Sequence, residues 1–411
     1  KIFMKKRFLL LSFLAVSASY TFVSCSNDDD FGTEVVQNST LTLSFKGDNI
    51  TTYKSLEIEV KELNTGATTT KTIDGLNAYT LDLPKGSYKV SVNGTVVTSA
   101  NEEVKVGGSA AIDVKNTAEN LAISLFIKQF SNDFIIEEAF YAGVKTPEGK
   151  NYNSSRYFKI TNNTDKVLYA DNLILAQSEF LTQDDKKPTP FHPNTAFAVK
   201  GVMVIPGTGT DYPVQPGDFI VIADNAVNHN AVTSTAFDLS KANFEFPSEN
   251  PALGQVDNPS VPNVKVIYTQ MNFNMFFLHS SGVESYVIAR FPAGESATTF
   301  LEKYKYSYEY VNSAGGVTKK NAYEIPNTWI VDGMNNSVPD RFAQLLTSTS
   351  IDAGWTGIGE FWNDASRLGK SVRRNVLGKT ETGKNIYKDT NNSTVDFIKN
   401  AEPSLKNGIV H

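Results

Sequence analysis

Four histidines, three tryptophans and one cysteine are the residues of this 411-residue chain with the narrowest chemistry. The histidines, His192, His229, His279 and His411, are scattered. None stands in a His-Glu-x-x-His or His-x-His arrangement, the spacing with which one helix or strand aims two imidazoles at a zinc ion. The sequence therefore predicts no metal and no cofactor, and the histidines read as surface or capping residues. His229 has the most informative surroundings. Asp224, Asn225, Asn228 and His229 form an amide- and carboxylate-rich loop directly after the apolar run 219–223. Loops at strand ends carry binding groups on sandwich scaffolds, so these four are candidate ligand contacts. Asx side chains closing their own turn are the competing reading. The loop offers oxygens to Ca²⁺, but in no recognised ligand spacing.

Nucleophile motifs are absent: there is no Gly-x-Ser-x-Gly elbow, no Ser-x-x-Lys set and no P-loop. Glycoside hydrolysis needs only two carboxylates about 5–9.5 Å apart, which spacing along a chain does not reveal. Glu137 and Glu138 are not such a pair, because neighbours on a strand point to opposite faces. One is expected at a buried edge and the other in water. Trp329, Trp355 and Trp362 all fall in the last quarter of the chain. Around them lie Tyr323, Phe361, Asp332, Glu360, Asn363, Asp364, Gly354, Gly357 and Gly359. Flat aromatic faces flanked by carboxylates and amides suit sugars or other amphipathic ligands, and the three tryptophans are candidate contacts on that ground. Core and turn roles would use the same residue types.

Cys25, the sole cysteine, follows Lys5, Lys6, Arg7, an apolar run over residues 8–22, and Val23-Ser24. Met4 is the natural start of this segment. A basic start, about 15 apolar residues and small residues before a cleavage point define an export signal. The run is shorter than the roughly 20 residues a spanning helix needs. A cysteine directly after such a signal resembles the lipobox of bacterial lipoproteins, although Phe22 stands where an aliphatic residue is usual. The resemblance implies cleavage before Cys25 and its acylation, with membrane lipid as the partner of the acylated residue. Ser26 and the acidic Asp28, Asp29 and Asp30 resemble the surface-export tag of Bacteroidetes lipoproteins. That implies an address on the outer membrane, facing outward.

Residues 1–24 hold four of the 38 Lys and Arg and no acid. The chain from Cys25 on therefore has 34 basic against 44 acidic side chains, a net charge of −10. An acidic chain without a basic cluster argues against nucleic-acid binding.

The elements that must position these residues are strands. Leu41, Leu43 and Phe45 alternate with polar residues, as do Leu56, Ile58 and Val60, and Tyr88, Val90 and Val92. Such period-2 patterning marks half-buried strands. Residues 78–94 give a strand, a Pro-Lys-Gly turn and a second alternating strand. Over residues 39–117 this is similar to prealbumin-like or carboxypeptidase-regulatory-like sandwiches. From residue 118 the chain stays strand-rich. Residues 157–164 (Tyr-Phe-Lys-Ile-Thr-Asn-Asn-Thr) and 216–223 (Pro-Gly-Asp-Phe-Ile-Val-Ile-Ala) resemble landmarks of the lamin-tail domain, an immunoglobulin-like sandwich. Residues 371–374 and 389–397 fit its closing strand and tail. Landmarks spread this widely imply an insertion between Asn225 and Ser371. In it, strands are predicted over 264–270, 274–278 and 285–290, with helices near 297–304 and, capped by Asn336 or Ser337 with Pro339 in its first turn, through 341–346.

The expected layout is an all-β chain: signal peptide 1–24, acidic tether 25–38, small sandwich 39–117 and expanded lamin-tail-like sandwich 118–411. As a whole it resembles an uncharacterised family of Bacteroidetes surface lipoproteins. The expected function is a non-enzymatic, lipid-anchored binding or accessory protein of a nutrient-uptake system. Its expected partners are a TonB-dependent β-barrel transporter and a glycan or small-molecule ligand. A carboxylate-dependent hydrolase acting on extracellular polymer and a structural or adhesive surface protein are the alternatives.

Overall fold

The computed structural model describes residues 38–247, 250, 252, 256–272 and 276–410. The signal segment, Cys25, the Ser26–Asp30 tract and His411 lie outside the described residues. The fold is all-β, built from sandwiched sheets with short helices.

In the N-terminal sandwich, Asn38–Lys46 is the central strand of a three-stranded sheet, antiparallel to Ala78–Pro84 and parallel to Ala118–Ser124. Opposite it lies a five-stranded sheet in the order Thr68–Asp74, Ile50–Glu62, Gly86–Thr98, Glu103–Val114 and Phe126–Ile127. Leu41, Leu43 and Phe45 meet Leu56, Ile58, Val90 and Val92 between the sheets, while the residues alternating with them face outward. One face per sheet is wet, which is why the period-2 signal is clean here.

The larger part pairs a six-stranded sheet with a seven-stranded one. The first runs Phe244–Glu245, Phe219–Ala223, Tyr157–Asn162, Phe134–Phe140, Ser371–Arg374, Phe397–Ala401. The second includes Val317–Pro326, Ala196–Val204, Leu173–Ser178, Ser285–Arg290 and Ile330–Asn335. Phe158, Ile160 and Ile222 meet Leu175, Tyr286 and Ile288 in the layer between. The outer faces are covered as well. Phe300, from the helix Ala297–Lys303, packs with Tyr306, Tyr308 and Trp329 on one side, and Phe237, Leu239, Leu405 and Ile409 cover the other. Every residue of Phe134–Phe140 is consequently buried.

That double covering corrects the expectation for Glu137 and Glu138. Both are buried, at 2% and 0% exposure. Glu137 is the extra residue of a β-bulge against Lys159 and Ile160, and it takes the Lys159 ammonium at 2.8 Å and the Thr161 hydroxyl. Glu138 accepts from Ser371 Oγ at 2.7 Å and from the Ser404 amide at 3.0 Å. Buried carboxylates persist where such donors replace water.

Within the insertion, strands form at Lys265–Thr269 and Ser285–Arg290 and the helix at Ala297–Lys303, where Ser296 and Thr299 make a capping box. No strand forms at 276–278, the described part of the strand predicted over 274–278. The helix predicted through 341–346 is absent. One turn closes where the Phe342 amide donates to Val338 O, and then the amides of Ala343 and Gln344 both donate to Thr182 O. A tertiary carbonyl has captured the donors that helix propagation would have used.

The two parts meet at a hairpin. Strands Val376–Lys379 and Asn385–Tyr387 carry Ile386 into the core of the N-terminal sandwich, where it is 1% exposed. A Cβ on Gly378 would lie 2.5 Å from Ile127 Cγ1, so only glycine admits that approach.

Candidate aromatic binding face

The loop of Asp224, Asn225, Asn228 and His229 directs most of its polar atoms inward. Asn225 Oδ1 accepts from the Val256 amide at 2.8 Å. Asn228 Oδ1 caps a short 3-10 turn by accepting from the Asn230 amide at 3.0 Å. His229 is 1% exposed, which corrects its expected place at the surface. Its Nε2–H donates to Asn225 O at 2.9 Å and its Nδ1 accepts from Tyr152 Oη at 2.7 Å. Burial lowers its pKa, and both contacts suit the neutral ring. Asp224 differs: among the described residues its carboxylate accepts no hydrogen bond. Burial pushes its pKa up to about 6, against the pull of Arg156.

The three tryptophans separate. Trp329 is a core residue packed on Tyr304, Phe291 and Phe300. Asp332 is buried beneath Arg374, and Tyr323 packs against Tyr268. Trp355 and Trp362 instead stand half-buried on one surface. Phe342 stacks on Trp355, with centroids 5.1 Å apart and planes at 15°, and the Lys399 ammonium lies 3.9 Å from that indole. The neighbouring Arg341 lies 6.0 Å over Trp362, whose backbone amide donates to Asp340 Oδ1 at 3.2 Å. His279 packs on Trp362 at 4.9 Å. Since Arg341 and Phe342 are adjacent and each covers one indole, the two tryptophans share a face. Phe361, next in the chain to Trp362, and Phe277, two residues before His279, are 54% and 44% exposed.

Several local devices hold this face. Gly357 lets the chain pass Ser337, where a Cβ would stand 1.9 Å from Ser337 O, and Gly354 passes Asn392 equally closely. Asp364 folds the loop back by accepting from the Glu360 amide at 2.9 Å and the Ser366 amide at 2.8 Å. Thr394 Oγ1 bonds both the amide and the carbonyl of Trp355. Arg367 Nε donates to Ser280 O at 3.0 Å, tying residues 279–281 to the tryptophan loop.

Beneath, Glu284 gathers Lys200, Gln177 Nε2 at 2.5 Å and Tyr286 Oη at 3.1 Å. Arg156, 3% exposed, donates Nη1 to Leu278 O at 2.9 Å and lies 5.4 Å over Phe277. Among the described residues no three His, Cys, Asp or Glu side chains converge as a metal site. Sequence reasoning missed Arg156, Phe277, His279, Arg341, Phe342 and Lys399 as members of this face. Their positions are brought together only by the fold, and no local pattern signals them.

A family model described as a protein of unknown function (DUF4876) matches residues 215–404, a segment that contains every member of the face except Arg156. The structure is similar to that of a DUF4876 family protein from Bacteroides thetaiotaomicron, at 24% identity and a TM-score of 0.61 over 89% of this chain and 96% of that one. A DUF3823 family protein from Bacteroides ovatus aligns at 14% identity and a TM-score of 0.17, covering 45% of this chain and 81% of that one. A fimbrial assembly protein from Parabacteroides distasonis aligns at 14% identity and a TM-score of 0.16, over 43% and 84%. TM-scores of this size do not extend to a common overall fold. No curated protein matches the chain.

Proposed function

We propose that this chain is a lipid-anchored protein on the outside of the outer membrane that binds glycan through the Trp355–Trp362 face. In this reading it serves a TonB-dependent transporter as a non-catalytic accessory. The observation that carries the binding role is the pair of half-buried indoles on one surface, flanked by the exposed rings of Phe342, Phe361 and Phe277. Soluble proteins rarely leave such a group of large rings in water without a partner for it. Partly exposed aromatic rings beside hydrogen-bonding groups match the two-sided character of sugars, apolar on the C–H faces and polar at the edge. The address rests on the segment ending at Cys25 and Asp30.

Three of the buried carboxylates support a non-catalytic role. Glu137, Glu138 and Glu284 are each engaged by fixed donors within the fold. The test is retardation in gels containing a panel of neutral and acidic polysaccharides, run for the natural chain and for Trp355→Ala and Trp362→Ala. Retardation by at least one polysaccharide that both substitutions weaken tenfold or more is expected, and a chain retarded by none overturns the reading. Release of reducing sugar from a retained polysaccharide, abolished by changing one carboxylate, would replace it with the hydrolase. Protection of the protein from protease added to intact cells would remove the outward-facing address.

A further inference from the structure

Resting on the glycan reading, we infer that residues 339–343 are a strap that occupies the tryptophan face, and that a saccharide reaches the indoles by lifting it. Each indole carries two contacts from its own chain. Trp355 has the Phe342 ring stacked on it at 5.1 Å and the Lys399 ammonium at 3.9 Å. Trp362 has His279 at 4.9 Å and the Arg341 guanidinium at 6.0 Å. One contact of each pair comes from the same stretch of chain, so releasing that stretch frees a side of both indoles at once.

The stretch is pinned at its ends and thinly held between them. Val338 and Leu346 are buried, whereas residues 339–343 are all exposed. The Arg341 and Phe342 amides bond only to Val338 O, at the strap's own root. The Ala343 and Gln344 amides share a single acceptor on the body, Thr182 O, at 2.8 and 3.1 Å. The ion pair of Arg341 is with Asp340, 3.5 Å away and inside the strap, so it fastens nothing to the body. What holds the middle down is the Phe342 stack, the Arg341 contact and Asp340 Oδ1, which accepts from the Trp362 amide at 3.2 Å. Segments with few buried contacts and exposed backbone hydrogen bonds are the ones that open locally.

These contacts have the strength of a latch. An exposed aromatic stack and an exposed cation–π contact each shift an equilibrium by about two- to tenfold. A sugar C–H face laid on an indole makes a contact of the same order as the one it displaces. Affinity for the ligand is reduced by the fraction of chains whose strap is down. Lys399 and His279 lie outside the strap and keep the indoles positioned when it lifts.

The test uses the chain from Cys25 on, with Cys25→Ala, and the same chain carrying Arg341→Ser and Phe342→Ser as well. Both are run in affinity gels of xylan, galactomannan, laminarin and pectin. The double variant is expected to bind the polysaccharides its parent binds, with dissociation constants about two- to tenfold lower. Its tryptophan fluorescence should also be quenched more steeply by acrylamide. In the parent, the polysaccharide that retards it most is expected to speed deuterium uptake at the Ala343 and Gln344 amides, which a lifted strap gives up. A double variant that binds equally or more weakly overturns the strap while leaving glycan binding intact, and so does ligand that slows uptake at those amides. Retardation of neither chain by any of these polysaccharides overturns both.

Discussion

Arg374 is among the largest fully buried side chains of the molecule, and the fold surrounds it with three acids. Its Nη2 meets both oxygens of Asp332 at 2.7 Å, and Nη1 lies 3.3 Å from Asp389 and 3.5 Å from Asp396. Nε donates to Ile136 O at 2.9 Å, and Phe397 covers the guanidinium at 4.7 Å. Removing the cation leaves buried carboxylates facing one another. Arg374→Met is expected to cost about 3–5 kcal/mol in urea unfolding, and a cost below about 1 kcal/mol would show that the acids re-pair or protonate freely. Asp224 gives a prediction in pH. Its folded pKa, about 6, is raised above the unfolded value of about 3.9. Between those values the folded chain holds a proton that the unfolded chain has released. This group's contribution is therefore greatest at low pH and is lost as pH rises through 6. Asp224→Asn should flatten unfolding free energy against pH between about 4 and 6, and an unchanged slope would assign the effect elsewhere.

At the scale of elements, tryptophan is used in two ways. Trp329 lies 7% exposed among aromatic neighbours, so Trp329→Ala should cost about 3–5 kcal/mol through the cavity it leaves. Trp355→Ala and Trp362→Ala remove surface rings and should cost about 1 kcal/mol, read as a small shift in unfolding temperature. If all three cost alike, the division between core and face is wrong. The strands of the N-terminal sandwich were legible because one side of each sheet is wet, so that Leu41, Leu43 and Phe45 alternate. Phe134–Phe140 was not legible in that way, since both sides are covered, Glu137 finds Lys159 and Thr161 on the next strand, and Glu138 finds Ser371 and Ser404 far along the chain. The tryptophan loop was half legible. Its residue types were visible in the sequence. Its assembly from segments near 156, 277, 341, 355 and 399 depends on long-range closure, and the local signals over 337–346 pointed to a helix that Thr182 prevents.

For the whole molecule, the junction between the two parts decides how they respond to stress. Ile386 plugs the core of the N-terminal sandwich, the Lys388 ammonium pairs with Glu102, and Ser131 Oγ donates to Asp389 at 2.7 Å. Asn163 Oδ1 accepts from the Tyr387 amide at 2.9 Å. Ile386→Ala is expected to cost about 2–5 kcal/mol and to split unfolding into two steps, with the N-terminal sandwich melting first. One cooperative step at the original midpoint would show that the plug does not couple the parts. Strands of 13 residues in that sandwich extend about 43 Å at 3.3 Å per residue. Plugged at the hairpin, the sandwich behaves as a strut rather than a leash. A pull on the larger part would be borne by the hairpin at its buried isoleucine, and that part would keep its stand-off and heading under tension instead of swivelling toward the pull.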